Sequence, residues 1–188
     1  MKQIVLLIMS LLVFSSPTKA QEQPADAVRQ PGGKILVAYF SCTGTTEKAA
    51  SAIARAVDGD LYRIVPAVAY TPADLDWTDE SSRSSKEMAD ENSRPALGGG
   101  SLDPAEYDAV FLGYPIWWDA CPRAVNTFLE KYDFSGKTVI PFATSGSSSI
   151  AGSVRKLGAL YPEIEWREGR LCNGSTEQAA DWARRAIE

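Results

Sequence analysis

The chain has 188 residues, 45% of them hydrophobic and 23% charged, which is the balance of a globular protein with length for one domain and one sizeable core. It contains no histidine, and this excludes Ser-His-Asp and Cys-His catalysis, histidine metal sites and an imidazole base. A net charge of −5 without a basic stripe speaks against nucleic acid and anionic membrane surfaces as partners, and three cysteines without CxxC spacing exclude a disulfide scaffold, a zinc site and a thioredoxin-like motif.

The chain opens on a positive Lys2 and an apolar run from Ile4 to Phe14, followed by Thr18 and Ala20 at the −3 and −1 positions of a cleavage site. Residues 1–20 therefore read as a signal peptide, since the run is well short of the roughly 20 apolar residues of a membrane-spanning helix. An uncleaved anchor is the alternative. No cysteine follows the run, so lipoprotein processing is not expected. Lys2 and Lys19 are the only charges in this segment, and its removal takes the net charge from −5 to −7. Residues 21–32 are polar and aperiodic and read as a flexible leader, with the folded domain expected over 33–188. On this reading the protein is exported, to the periplasm in a Gram-negative cell.

From Lys34 onward, strands and helices alternate. Lys34 to Phe40 is a continuous apolar run that suits a buried parallel strand, and Ala49, Ile53, Ala56 and Val57 then recur at helical spacing until Asp58-Gly59-Asp60 stops the helix. Leu61 to Val65 is a short strand broken by Tyr62 and Arg63. Residues 71–102 are polar, with a helix expected near 79–91 and a flexible Gly98-Gly99-Gly100 that follows no strand and so is no dinucleotide fingerprint. Ala109 to Gly113 is a third strand, and Pro122 is expected in the first turn of a helix that carries Val125, Phe128, Leu129 and Tyr132 on one face. Thr138 to Ala143 is a fourth strand, followed by a helix marked by Ile150, Val154, Leu157 and Tyr161. Glu163 to Arg167 alternates as a fifth strand should, and Ser175 with Gln178 forms a capping-box signature for a last helix through Ala179, Trp182, Ala183 and Ala186.

Five strands and about five helices in this alternation predict an α/β fold, a doubly wound five-stranded parallel sheet. Strands 1, 3 and 4 are apolar throughout, as central strands are, whereas strands 2 and 5 are broken or alternating, as edges are. The strand order is therefore 2-1-3-4-5. Ligands of such sheets bind beyond the carboxyl ends of the strands, so the loops after strands 1, 3 and 4 should carry the function.

The first of these loops is Ser41-Cys42-Thr43-Gly44-Thr45-Thr46. Hydroxyls and a glycine at a helix N-terminus suit a terminal phosphate monoester, and the missing GK[ST] excludes a triphosphate loop. An ordinary Ser/Thr-rich helix cap is the alternative. After strand 3, Pro115-Ile116-Trp117-Trp118 offers two indoles to a flat apolar ring, although one of them could simply plug the core. After strand 4, Thr144-Ser145-Gly146-Ser147 is a small loop that lets backbone approach a planar ligand, or else a plain serine-rich turn.

S-x-T-G-T-T, G-Y-P-I-W-W and F-x-T-S-G-S-S-S, in this order and context, resemble the flavodoxins, closest to the bacterial flavodoxin-like group with the P-I-W-W loop. The resemblance spans residues 34–187. It implies non-covalent FMN, with Ser41, Thr43, Gly44, Thr45 and Thr46 on the phosphate. Pro115, Ile116, Trp117 and Trp118 would frame the ring, and Thr144, Ser145, Gly146 and Ser147 would close its other side. Asp119 departs from the glycine usual in similar sequences; it would either lower the flavin potential or cap the next helix.

The expected role is electron transfer between redox partner proteins, which needs no acid–base residue. An FMN-dependent NAD(P)H oxidoreductase of the quinone-reductase type is one alternative, and a flavin-free binding domain that retains the fold is another. The three cysteines are expected to be free thiols outside the chemistry.

Overall fold

The computed structural model describes residues 33–188, so the signal peptide expected over 1–20 and the leader expected over 21–32 lie outside the described residues. The order of elements is β1 (Ile35–Tyr39), α1 (Thr45–Val57), β2 (Asp60–Arg63), α2 (Arg83–Ala89), β3 (Ala109–Pro115), α3 (Arg123–Lys131), β4 (Thr138–Thr144), α4 (Ile150–Leu160), β5 (Glu165–Trp166), β6 (Arg170–Leu171) and α5 (Thr176–Ala186). All strand pairs are parallel in the order β2-β1-β3-β4-β5, and β6 continues the β5 edge along β4. This is the expected doubly wound sheet.

The unbroken apolar runs of the central strands follow from helices on both faces. Leu36, Ala38 and Phe40 point to one face and pack with Val125 and Phe128 of α3 and Leu157 of α4. Val37 and Tyr39 point to the other, against Ala49, Ala50 and Ile53 of α1 and Ala179 and Ala183 of α5. Small residues on α1 and α5 let these two helices come close to the sheet and to each other. At the sheet centre Gly113 of β3 lies beside Phe142 of β4. A Cβ at Gly113 would stand 2.2 Å from the Phe142 ring, so this glycine makes room for a buried aromatic.

The fifth strand departs from expectation. In place of one strand over 163–167, the edge consists of β5 and β6 with a break between them, opposite Ile140 and Pro141 of β4. Val139 accepts from the Arg167 N–H at 2.9 Å and Ala143 from the Cys172 N–H at 2.7 Å, so by alternation Pro141 faces this same edge. It has no N–H to offer there, and the edge chain fits an extra residue at that point.

Three further expectations need correction. The helix expected near 79–91 is confined to α2, where the Ser82 side chain accepts from the Ser85 N–H and sets the start. The glycine triplet is pinned, because Gly98 donates to Val65 O at 2.9 Å and the hydroxyls of Tyr62 and Tyr132 donate to Gly100 O at 3.0 and 3.3 Å. Pro122 is the N-cap of α3 and stands one position before the first turn. The capping box of α5 forms as its sequence signature implied, with Ser175 and Gln178 bonded reciprocally.

Candidate functional site

The loop from β1 into α1 is held from within. Gly44 sits at φ +84°, a conformation that suits glycine, and its N–H donates to Ser41 Oγ at 3.1 Å. No side chain caps α1, so by helix geometry its first-turn N–H groups have no carbonyl to meet, and they lie beside the hydroxyls of Thr43, Thr45 and Thr46. Thr43 and Thr45 are exposed, whereas Thr46 is buried with its hydroxyl 2.8 Å from that of Thr144, which ties this loop to the end of β4. Arg63 adds what the loop itself lacks. This residue pairs with Tyr39 across β1 and β2, and its guanidinium donates to Ser41 O at 3.4 Å, so a cation flanks the loop. Sequence reasoning missed Arg63 because it lies on another strand; the signal was its place at the carboxyl end of β2.

The loop after β3 closes into a tight turn. Trp117 N–H donates to Ala120 O at 2.9 Å and Ala120 N–H to Trp117 O at 3.0 Å, with Trp118 and Asp119 between them at φ +47° and +55°. Two successive left-handed residues are the geometry of a type I′ turn, which favours Gly or Asn and accepts Asp. The turn also gives a conformational reason for the departure at Asp119: glycine suits this position because φ is positive there. Asp119 is exposed and does not cap α3, whose N-cap is Pro122.

The turn sends the two indoles in different directions. Trp117 packs edge-on against Phe40 and Tyr70, with ring centroids 5.7 and 5.6 Å away. Tyr70 is held in turn by Glu87, which accepts from its hydroxyl, and by the Arg83 guanidinium 4.0 Å over its ring. Trp118 is 49% exposed and lines a separate cleft, so of the two indoles only Trp117 lines the cleft beside the β1 and β4 loops.

The loop after β4 is clamped by Asn173, which accepts from the Ser145 N–H at 2.9 Å and donates to Ser145 O at 2.7 Å. Ser145 Oγ accepts from the N–H groups of Ser147 and Ser148 at 3.3 and 2.9 Å, which curls the loop back on itself.

The three loops enclose one cleft of about 440 Å³ at the carboxyl ends of β1, β3 and β4. Of the expected residues, Ser41, Thr43, Thr45, Thr46, Pro115, Ile116, Trp117, Thr144, Ser145 and Gly146 line it, while Gly44, Trp118 and Ser147 do not. Leu75, Cys42 and Asn173 line it without having been foreseen as site residues. Burial pushes the Cys42 thiol up to about 11 despite the nearby Arg63, so it stays neutral at pH 7. Cys42, Cys121 and Cys172 are all unbridged. The cleft thus presents uncharged hydroxyls and backbone donors at one end and Trp117, Pro115, Ile116 and Leu75 at the other. That donor set fits a mononucleotide with one terminal phosphate and a flat ring.

Fold and cleft together define a doubly wound α/β protein with its ligand site at the switch point of the sheet. Residues 34–186 match the family model described as flavodoxin, and the chain belongs to that family. It is similar to the solved structure of a protein assigned as a flavoprotein from Bacteroides uniformis, at 58% identity and a TM-score of 0.78 over 81% of this chain and 99% of that one. A second such protein, from Bacteroides eggerthii, is 54% identical with a TM-score of 0.78 over 82% of this chain and 97% of that one. A flavoprotein from Lactobacillus acidophilus solved in complex with FMN shares the fold at 20% identity, with a TM-score of 0.63 over 79% of this chain and 99% of that one. No curated protein matches the sequence.

Proposed function

We propose that the protein binds FMN in the cleft between the β1, β3 and β4 loops and carries electrons between redox proteins outside the cytoplasm. The observation that carries the reading is the convergence of an uncapped helix N-terminus, its hydroxyls and Trp117 on one cleft, in a chain of the flavodoxin family. Bound FMN would supply one- or two-electron chemistry.

The chain's own groups would bind and orient it. The first-turn N–H groups of α1 and the hydroxyls of Ser41, Thr43, Thr45 and Thr46 would meet the phosphate oxygens. Thr46 would accept from Thr144 and turn its own proton outward to the phosphate, a use the 2.8 Å contact allows. Arg63 would soften the charge of the dianion from behind the loop. Trp117, Pro115 and Ile116 would cover the ring on one side, and the Thr144–Gly146 backbone would close the other. No ionisable side chain other than the neutral Cys42 lines this cleft, which suits a site that passes electrons without proton chemistry of its own.

An acidic chain, of net charge −5 overall and −7 without residues 1–20, favours basic redox partners, met through small and salt-sensitive interfaces. Export rests on the pattern of residues 1–20, and N-terminal sequencing of the mature protein tests it. For the carrier role, the flavin-loaded protein is mixed with NADH or NADPH, with and without a quinone. A carrier leaves the nucleotide unoxidised; steady oxidation would make the protein an NAD(P)H oxidoreductase instead.

A further inference from the structure

On the far side of the Trp117–Ala120 turn lies a second cleft, of about 310 Å³, between α2, α3 and α4, which shares no lining residue with the flavin cleft. Trp118 and Leu160 line it with 49% and 54% of their surfaces exposed, so two large apolar side chains of its lining stand partly in water. Trp118 is there at a cost. A bulky residue at φ +47° is strained by roughly 1–2 kcal/mol, a strain that glycine would avoid.

The polar groups of the floor are already satisfied. Ser153 Oγ lies 3.0 Å from Tyr114 OH and donates to Ile150 O at 2.9 Å, and Asn126 donates to Tyr161 OH at 3.1 Å. The Arg123 guanidinium is engaged by the carbonyls of Glu87 and Met88 at 3.2 and 3.0 Å. The walls, Met88, Ala120, Cys121 and Leu157, are apolar, and burial pushes the Cys121 thiol up to about 12, which keeps it neutral. Lys156 differs from the rest. It lines the cleft and, among the described residues, its ammonium has no hydrogen bond or ion pair. Glu91 also lines the cleft and would repel a second negative group.

We propose that this cleft is a second binding site, for a planar aromatic ligand of one or two rings with a single carboxylate. The ring stacks on Trp118 and slides over Leu160 and Leu157, and the carboxylate reaches Lys156. The floor makes no demand for further polar groups, and Glu91 selects monoanions over dianions. Because the two clefts are separated by the turn, the ligand and FMN bind together.

The test uses 2-naphthoate as probe, titrated by calorimetry into the full-length protein with and without saturating FMN. Amide shifts of Ala120, Cys121 and Leu160 locate the binding. The proposal expects one equivalent to bind with the same affinity in both cases. Trp118→Ala should weaken it roughly three- to tenfold, and Trp118→Phe should recover most of the loss. Lys156→Met should weaken it roughly two- to fivefold and remove its salt dependence. No binding at millimolar probe, competition with FMN, or an unchanged affinity in Trp118→Ala would each overturn the proposal. Failure of the flavin reading would show separately, as no response to FMN while 2-naphthoate still binds.

Discussion

The loop after β1 and the turn after β3 meet at the same cleft and are built on opposite terms. The first is a strand-to-helix turn whose one unusual conformation falls on Gly44, so its backbone donors are presented without strain. The second places Trp118 and Asp119 in left-handed conformations that neither residue prefers, and this pulls two adjacent tryptophans apart. Trp117 is drawn into an aromatic group with Phe40 and Tyr70, and Trp118 is turned out. An unstrained loop positions donors through its backbone. A strained turn assigns two like side chains to different work, and only the fold decides which goes where.

The sharpest way to break this comparison is to truncate each indole. Trp117→Ala should cost about 3 kcal/mol in a urea melt, because an aromatic packed on two others is lost. Trp118→Ala should change stability by less than about 0.5 kcal/mol, as expected for an exposed side chain. Equal losses would mean that the two residues are not divided between core and surface. In the β1 loop, Thr46→Ala should weaken FMN by about 1–2 kcal/mol in a calorimetric titration and leave riboflavin nearly unchanged, since one hydrogen bond to a charged group disappears. Equal loss for both flavins would place Thr46 away from the phosphate. Asp119→Gly should stabilise the chain by about 0.5 kcal/mol in the same melts, because relief of positive-φ strain outweighs the added freedom of the unfolded glycine. A loss would contradict the turn geometry.

A separate prediction, read from pH rather than substitution, concerns the thiols. Burial raises Cys42 and Cys172 to about 11 and Cys121 to about 12, so each stays protonated in the folded chain after its unfolded counterpart, near 9.0, has ionised. The unfolded state gives up these protons first, and stability should therefore fall as pH rises from about 9 towards 11. At pH 8 iodoacetamide should label native Cys42 slowly, and FMN should slow it further because Cys42 lines the cleft. Thiol titration of the denatured, unreduced protein should find all three free; a single free thiol would contradict the unbridged arrangement.

Much of this architecture is legible in the sequence because its signals are local. Apolar runs at 35–39, 109–113 and 138–143 mark strands covered on both faces, and broken patterns mark the edges. The Ser41–Thr46 loop announces itself through hydroxyls beside a glycine. The features that were not legible depend on pairing across strands. Pro141 sits inside an apolar run, and only its neighbours in the sheet show that its missing N–H faces β5 and β6 and divides them. Arg63 belongs to an edge strand, and its approach to Ser41 follows from the register with Tyr39. Asn173 lies 28 residues from its partner Ser145 and becomes a site residue only once β6 has paired with β4. The Trp118 rotation likewise rests on a two-residue hairpin that nothing in P-I-W-W-D-A announces, since Gly and Asn, the usual markers, are absent.

The central claim is that the hydroxyl-lined end of the cleft receives a phosphate. It is tested most directly by titrating the purified protein, freed of flavin, with FMN and with riboflavin under identical salt conditions. The two ligands share the ring and differ at the phosphate. Two or more charge-assisted hydrogen bonds from the α1 N-terminus and its threonines predict FMN at least tenfold tighter, with the gap narrowing as salt rises. Equal affinity for the two flavins, or a gap that ignores Thr46→Ala, would contradict the account.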